Sequence, residues 1–335
     1  MQGKIKIAVD AMGGENSPKK VIDGILDNQK QNKDVIYNIF GDKNEIQKLL
    51  PRNYDQDTFN IFHTTKKILD IDSPLTAAKK GKDTSMWLTI QSLKNNQSDV
   101  AISAGNTGAL FVISKLNLKM IENIDKPALS ALWPNKKNFN VVLDLGANIE
   151  CNEKNLIDFS IMGSSLFKAL YPRDDAVVAL LNIGSEELKG NEIIKKAYQN
   201  LQNRKNDIFD FQGYVEGNQI MDGNVNVIVT DGFTGNIALK TAEGTANFIM
   251  KEFKNSMTSN ILGKISSLIN IKNLNKVKKK LDPRLYNGAI LIGLNAPVIK
   301  SHGSTDYIGF SHSLNVCIKI VKNNLIQKIK DNISK

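Results

Sequence analysis

Short apolar runs rich in β-branched residues recur along the chain. Each ends in a polar loop of small residues, and a helix-like segment follows. Residues 5–9 lead into Asp10-Ala11-Met12-Gly13-Gly14, residues 100–102 into Ser103-Ala104-Gly105-Asn106-Thr107-Gly108, and residues 141–143 into Asp144-Leu145-Gly146-Ala147-Asn148. Residues 177–181 lead into Asn182-Ile183-Gly184-Ser185-Glu186-Glu187, residues 225–229 into Thr230-Asp231-Gly232-Phe233-Thr234-Gly235-Asn236, and residues 298–299 into Lys300-Ser301-His302-Gly303-Ser304. Strands alternating with helices predict a largely parallel sheet covered on both faces. In such sheets ligands bind beyond the carboxyl ends of the strands. All six loops are expected at such ends, so that several share one cleft. No Pro/Gly/Ser-rich linker divides the chain, and one α/β/α domain over 1–335 is expected, with two intertwined lobes as the alternative.

Residues 257–281 follow a different rhythm. Ile261, Ile265, Leu268 and Ile269 fall on one helical face, with Leu262 beside them, and Asn270 to Asn273 offer a break. Leu274, Val277 and Leu281 then form a second stripe flanked by Lys276, Lys278, Lys279 and Lys280. Two readings stand for this basic amphipathic pair: a helix that lies on an anionic membrane surface, or one packed on the core or a dimer partner.

Composition narrows the class. The chain has 335 residues, 41% hydrophobic and 23% charged, and no apolar run approaches the roughly 20 residues of a membrane span. Met1-Gln2-Gly3-Lys4 runs straight into a strand-like segment, so a secretory leader is not expected. Lys+Arg is 44 against 34 Asp+Glu, giving +10. That excess fits either acidic partners or the compositional drift of a Lys-, Asn- and Ile-rich chain. Aromatic content of 7%, without a stacking platform, argues against nucleic acid. Cys151 and Cys317 are far apart, which suits a reducing cytosol.

Familiar chemistries are missing. His63, His302 and His312 with two isolated cysteines make no zinc spacing, and neither a nucleophile elbow nor a dinucleotide fingerprint is present. Gly235-Asn236-Ile237-Ala238-Leu239-Lys240-Thr241 resembles a P-loop but lacks Gly before the Lys, and reads as a helix opening. What remains is a set of loops suited to an anion: Gly for close backbone approach, and Ser103, Asn106, Thr107, Thr234 and Asn236 as donors. Lys189, Lys300 and His302 add positive or switchable charge. Asp10, Asp144 and Asp231 could take a cation, but their spacing equally fits caps and loop braces. His302 sits in a small-residue loop after a strand, a setting that suits an acid, a base or a structural histidine. His63 is read as structural, and His312 as part of the last helix.

Taken together, Val9-Asp10-Ala11-Met12-Gly13-Gly14, Ser103-Ala104-Gly105-Asn106-Thr107-Gly108-Ala109, Leu143-Asp144-Leu145-Gly146-Ala147-Asn148, Leu181-Asn182-Ile183-Gly184-Ser185-Glu186-Glu187 with Lys189-Gly190-Asn191, Thr230-Asp231-Gly232-Phe233-Thr234-Gly235-Asn236 and Pro297-Val298-Ile299-Lys300-Ser301-His302-Gly303-Ser304 resemble the acyl-carrier-protein:phosphate acyltransferases of bacterial phospholipid synthesis (PlsX). The resemblance runs nearly end to end, and collinear blocks make it specific. Glu15, Ala296 and Ser301 depart from the usual residues, and the basic run Lys79-Lys80-Gly81-Lys82-Asp83-Thr84-Ser85-Met86 has no Arg, which weakens any claim of bidentate Arg contacts to phosphate.

The resemblance implies a three-layer α/β/α fold with a largely parallel, mixed sheet, like that of isocitrate dehydrogenases and phosphotransacetylases. It implies transfer of a fatty acyl group from acyl carrier protein to inorganic phosphate, giving acyl phosphate for glycerol-3-phosphate acylation. A homodimer is implied, in the cytoplasm and peripheral to the inner face of the cell membrane, near a membrane glycerol-3-phosphate acyltransferase; the residues themselves suggest an anion site without a metal cage, and no cofactor is expected. Phosphate needs no Ser or Cys nucleophile; it must be held against the carbonyl, with donors for the oxyanion. Ser103, Gly105, Asn106, Thr107, Thr234, Gly235, Asn236 and Lys300 are the expected phosphate ligands. Lys189 and His302 are expected to manage charge and proton, with Asp231 orienting one of them. Ile261, Leu262, Ile265, Leu268 and Ile269 are the expected membrane contacts. The alternatives are a coenzyme A-dependent phosphotransacylase and a non-catalytic phosphate- or membrane-binding regulator.

Overall fold

The computed structural model describes residues 3–204, 207–260, 266, 269–280 and 282–334. One 11-stranded sheet runs through it. Its first half is built from β1 (Ile5–Asp10), β2 (Val35–Gly41), β3 (Phe59–His63) and β4 (Val100–Ser103). Its second half holds β6 (Phe139–Leu143), β7 (Val177–Asn182), β8 (Asp210–Glu216) and β9 (Val227–Val229). Between them lie β5 (Ala128–Pro134), β10 (Ala289–Ile292) and β11 (Val298–Lys300), giving the order β3-β2-β1-β4-β11-β10-β5-β6-β9-β7-β8.

Side chains alternate between the two faces, as the two-residue period of a strand requires. Ile7, Val9, Val100, Ile102, Val141, Leu143, Val227 and Val229 join one core layer. Ala8, Ala101 and Val298 join a second layer, and Val142 and Ile228 a third, both on the other face. The first layer is covered by α1 (Lys19–Gln31), α6 (Glu153–Leu170), α7 (Glu192–Asn203), α10 (Tyr307–Lys322) and α11 (Leu325–Ile333). The opposite face takes α3 (Pro74–Lys80), α4 (Ser85–Lys94), α5 (Thr107–Leu118) and the base of α8 (Gly232–Thr258). Burial on both faces explains why these strands read as unbroken apolar runs. This is the expected three-layer α/β/α architecture.

The sheet is largely parallel but mixed, with a reversal at its centre. β10 pairs antiparallel with both β11 and β5, and β5 pairs antiparallel with β6. The two halves of the sheet are each parallel internally but run in opposite directions. The six Gly-rich loops all leave carboxyl ends, yet those after β1, β4 and β11 open at one edge of the sheet and those after β6, β7 and β9 at the other.

α8 is 27 residues long, and only Gly232 and Gly235 at its foot are buried. Beyond its C-terminus a turn at Asn270 precedes α9 (Ile271–Lys280), so the expected break narrows to Asn270. Ile261, Leu262, Ile265 and Leu268 lie outside the described residues, whereas Ile269 is 77% exposed. No helix among the described residues is long and apolar enough to cross a membrane. His312 lies in α10, the penultimate helix.

Candidate active site

At the first edge three loops close on one another. Asp10, at the end of β1, is buried and accepts from Ser103 Oγ at 2.6 Å and from the Met12 amide. Burial raises its pKa, and the hydrogen bonds from Ser103 and the loop oppose that shift. Ser103 Oγ also accepts from the Gly105 amide at 3.0 Å. This brace brings two glycines into backbone contact: a Cβ on Gly13 would lie 2.6 Å from the Gly105 nitrogen. Gly14 has φ +80°, and a Cβ there would meet Ala104 O at 2.8 Å and Lys20 Nζ at 3.0 Å. Only glycine satisfies both the backbone and the space.

Two lysines reach the same shell. Lys300 closes β11; its ammonium donates to Ala104 O and Ser301 O. Lys20, in the first turn of α1, donates to Gly303 O. They expose only 5% (Lys20) and 9% (Lys300) of their surface. Burial pulls Lys300 down to about 8, Lys20's charge pushes the same way, and Asp70 and Asp10 oppose. Lys20 is also lowered by burial, against Glu15 and Asp70. Such a shell, cationic and lined by backbone at a helix start, can hold an oxyanion.

The remaining first-edge residues divide their work differently from expectation. Asn106 caps α5 by accepting from the Ala109 amide at 3.0 Å, and its Nδ2 donates to the carbonyls of Leu69, Asp70 and Asp72. It therefore clasps a strap, residues 69–72, instead of presenting its amide to a ligand. Ser103 is likewise committed to Asp10 and Gly105. Thr107, first residue of α5, is exposed. His302 has an exposed ring whose Nδ1 contacts Ser304 Oγ at 3.0 Å, and its amide donates to Asn287 Oδ1.

At the second edge Asp144 is a brace. It accepts from the amides of Leu129, Ala147 and Asn148 and from Asn148 Nδ2, at 2.7–3.0 Å. Asp231 caps α8, accepting from Thr234 N and Thr234 Oγ1, both at 2.8 Å. Its carboxylate holds Thr234, and His302 stands at the other edge, whereas Lys189 shares the edge of Asp231. The Thr234 hydroxyl is consumed by the same cap. Gly235 sits under the Asp144 carbonyl, where a Cβ would approach to 2.0 Å, and Asn236 lies beside Gly146. The near-P-loop at 235–241 is the opening of α8, as expected. Lys189 is exposed on a loop that Asn182 Nδ2 ties through the carbonyls of Gly184 and Lys189. Among the described residues no hydrogen bond or ion pair joins the two edges.

Lys20 was not singled out from the sequence. A signal existed: lysine in a helix's first turn opposes the macrodipole, and α1 carries no acidic residue there.

Comparison with known proteins places this geometry. Residues 5–328 match the family described as "Fatty acid synthesis protein". A phosphate acyltransferase of Pelagibacter ubique is 70% identical over 98% of both chains. One of Rhodospirillum rubrum is 41% identical over 100% of this chain and 96% of that protein. In fold, the chain is similar to a phosphotransacetylase from Streptococcus pyogenes (TM-score 0.63, 14% identity, 95% and 94% of the two chains). It is also similar to the EutD phosphotransacetylase from Staphylococcus aureus (TM-score 0.60, 16% identity, 96% and 94%). The chain belongs to the fatty acid synthesis protein family and, within it, to the phosphate acyltransferases.

Proposed function

We propose that this phosphate acyltransferase takes its acyl group from an acyl-carrier-protein thioester and releases acyl phosphate for phospholipid synthesis. The observation that carries the reading is Lys300: a buried ammonium without a carboxylate ion pair among the described residues, under loops of bare backbone. Hydrogen phosphate dianion is held there, and one of its oxygens attacks the thioester carbonyl carbon. The tetrahedral oxyanion collapses, the C–S bond breaks, and the pair leaves on sulfur. The proton of hydrogen phosphate ends on the carrier thiol, with His302 as its shuttle. Phosphate is already a nucleophile at neutral pH, so positioning and charge carry the catalysis.

The acceptor seat is assigned to Lys300, Thr107 and the bare backbone at Gly13, Gly14 and Gly105, with Ser103 and Asn106 supporting it. Thr234, Gly235, Asn236 and Lys189 belong to the second edge and are assigned no phosphate contact. A homodimer and contact with an anionic membrane complete the reading. Phe233, Ile237, Phe248, Ile249 and Phe253 leave apolar surface along α8 that a second copy would cover, and exposed Ile269 supports membrane contact. The product tests the reaction: acyl phosphate is trapped by hydroxylamine as an acyl hydroxamate. Hydroxamate formed only with both carrier thioester and phosphate supports it, and hydroxamate independent of phosphate sinks it.

A further inference from the structure

We propose that Lys20 is the second ammonium of the acceptor seat and sets the chain's affinity for the phosphate dianion. The inference rests on the assignment of Lys300 to that seat.

Lys20 stands where a cation is least welcome, in the first turn of a 13-residue helix with no acidic neighbour in that turn. A solvated lysine would turn outward, yet Lys20 is buried and donates to Gly303 O. It converges with Lys300 on one patch of backbone. The Cβ position of Gly14 lies 3.0 Å from Lys20 Nζ and 2.8 Å from Ala104 O, the oxygen to which Lys300 donates at 3.2 Å. Neither lysine forms an ion pair among the described residues; Glu15 and Asp70 act on Lys20, and Asp10 and Asp70 on Lys300, only through space.

An ammonium has three donors. Lys20 uses one and Lys300 two, so both keep hydrogens for a ligand. Two like charges buried together are unfavourable unless an anion joins them, and a dianion answers both at once. A monoanion leaves one uncompensated. Asp70 is the counter-charge that acts on both lysines. It lies in the exposed strap that Asn106 clasps through the Asp70 carbonyl at 3.0 Å, and there it competes with phosphate for both lysines.

The test is calorimetric titration of inorganic phosphate into the full chain and into Lys20→Met and Asp70→Asn, with KM for phosphate and acyl donor measured beside it. Loss of one charge-assisted contact should weaken phosphate binding by roughly tenfold or more. The donor KM should stay within about twofold, since the loss is local. Asp70→Asn, an exposed change that leaves the core intact, should tighten phosphate binding by about two- to threefold. The alkaline limb of the phosphate profile should move to higher pH in Lys20→Met, because Lys300 loses a like-charged neighbour. A purely structural lysine would not move that limb. Unchanged phosphate affinity in Lys20→Met, an equal rise in both KM values, or weaker binding by Asp70→Asn overturns the assignment of Lys20. Wild-type chain that binds no phosphate and forms no acyl phosphate overturns instead the function on which it rests.

Discussion

Ser103 Oγ donates to Asp10 Oδ2 at 2.6 Å, and this one bond ties the end of β4 to the end of β1. Both groups are buried, so Ser103→Ala leaves a carboxylate short of a donor. Unfolding in urea should show a loss of about 1–3 kcal/mol, with phosphate KM raised as the Gly13–Gly105 contact loosens. An unchanged urea midpoint would show that the brace carries no energy.

Asn106 separates two kinds of role. As cap and clasp, its replacement by Ala should cost about 1 kcal/mol and free the strap at 69–72 for proteolysis. A direct phosphate ligand would behave otherwise, with a large rise in phosphate KM and a strap as protected as before. Limited proteolysis with mass mapping decides between them.

Gly235 tests the second edge. An alanine Cβ would fall 2.0 Å from the Asp144 carbonyl oxygen, a backbone atom that cannot swing aside. Gly235→Ala should destabilise by about 1–3 kcal/mol or more by overpacking. A variant with wild-type thermal stability would mean that α8 shifts at its foot without cost.

Lys300 gives a pH signature. Its ammonium is charged below about 8 and neutral above, so kcat/KM for phosphate should fall on the alkaline side with a midpoint near that value. Stability has the opposite sense. The unfolded lysine keeps its ordinary value of 10.5, so between about 8 and 10.5 the unfolded chain binds more protons. The stability difference, wild type minus Lys300→Met, should therefore rise with pH across that window and be flat below it. A difference that falls from about pH 8 to 10 contradicts the buried-ammonium assignment.

Strands and Gly-rich loops were legible because a strand buried on both faces has a composition that little else shares. The place of the reversal at the sheet's centre was not, because β10 (Ala289–Ile292) reads as one more short apolar run. A trace was present in the hairpin between β5 and β6, where Asn135 Oδ1 accepts from the Lys137 and Asn138 amides. Ser103, Asn106 and Thr234 lie at a strand end, a helix cap and a first helical turn. Sequence does not say whether a polar group is consumed locally: Ser103 braces Asp10, Asn106 caps α5 and Thr234 is held by the Asp231 cap. Lys20 escaped because a Lys-rich chain hides a buried lysine among solvated ones.

His302 is the exposed partner in this account, and His302→Ala should lower kcat by about 10²-fold or more if it shuttles the proton, with phosphate KM little changed. Lys189→Ala, at the opposite edge, should leave phosphate KM at the wild-type value. Steady-state kinetics on both variants at saturating donor tests the pair, and near-wild-type turnover by His302→Ala removes it from the mechanism.

The most direct measurement follows free thiol when purified chain meets palmitoyl-carrier protein and phosphate, with palmitoyl-coenzyme A as the parallel donor. The account predicts phosphate-dependent thiol release from the carrier protein and none from coenzyme A. Release from coenzyme A alone, or from neither donor, would contradict it.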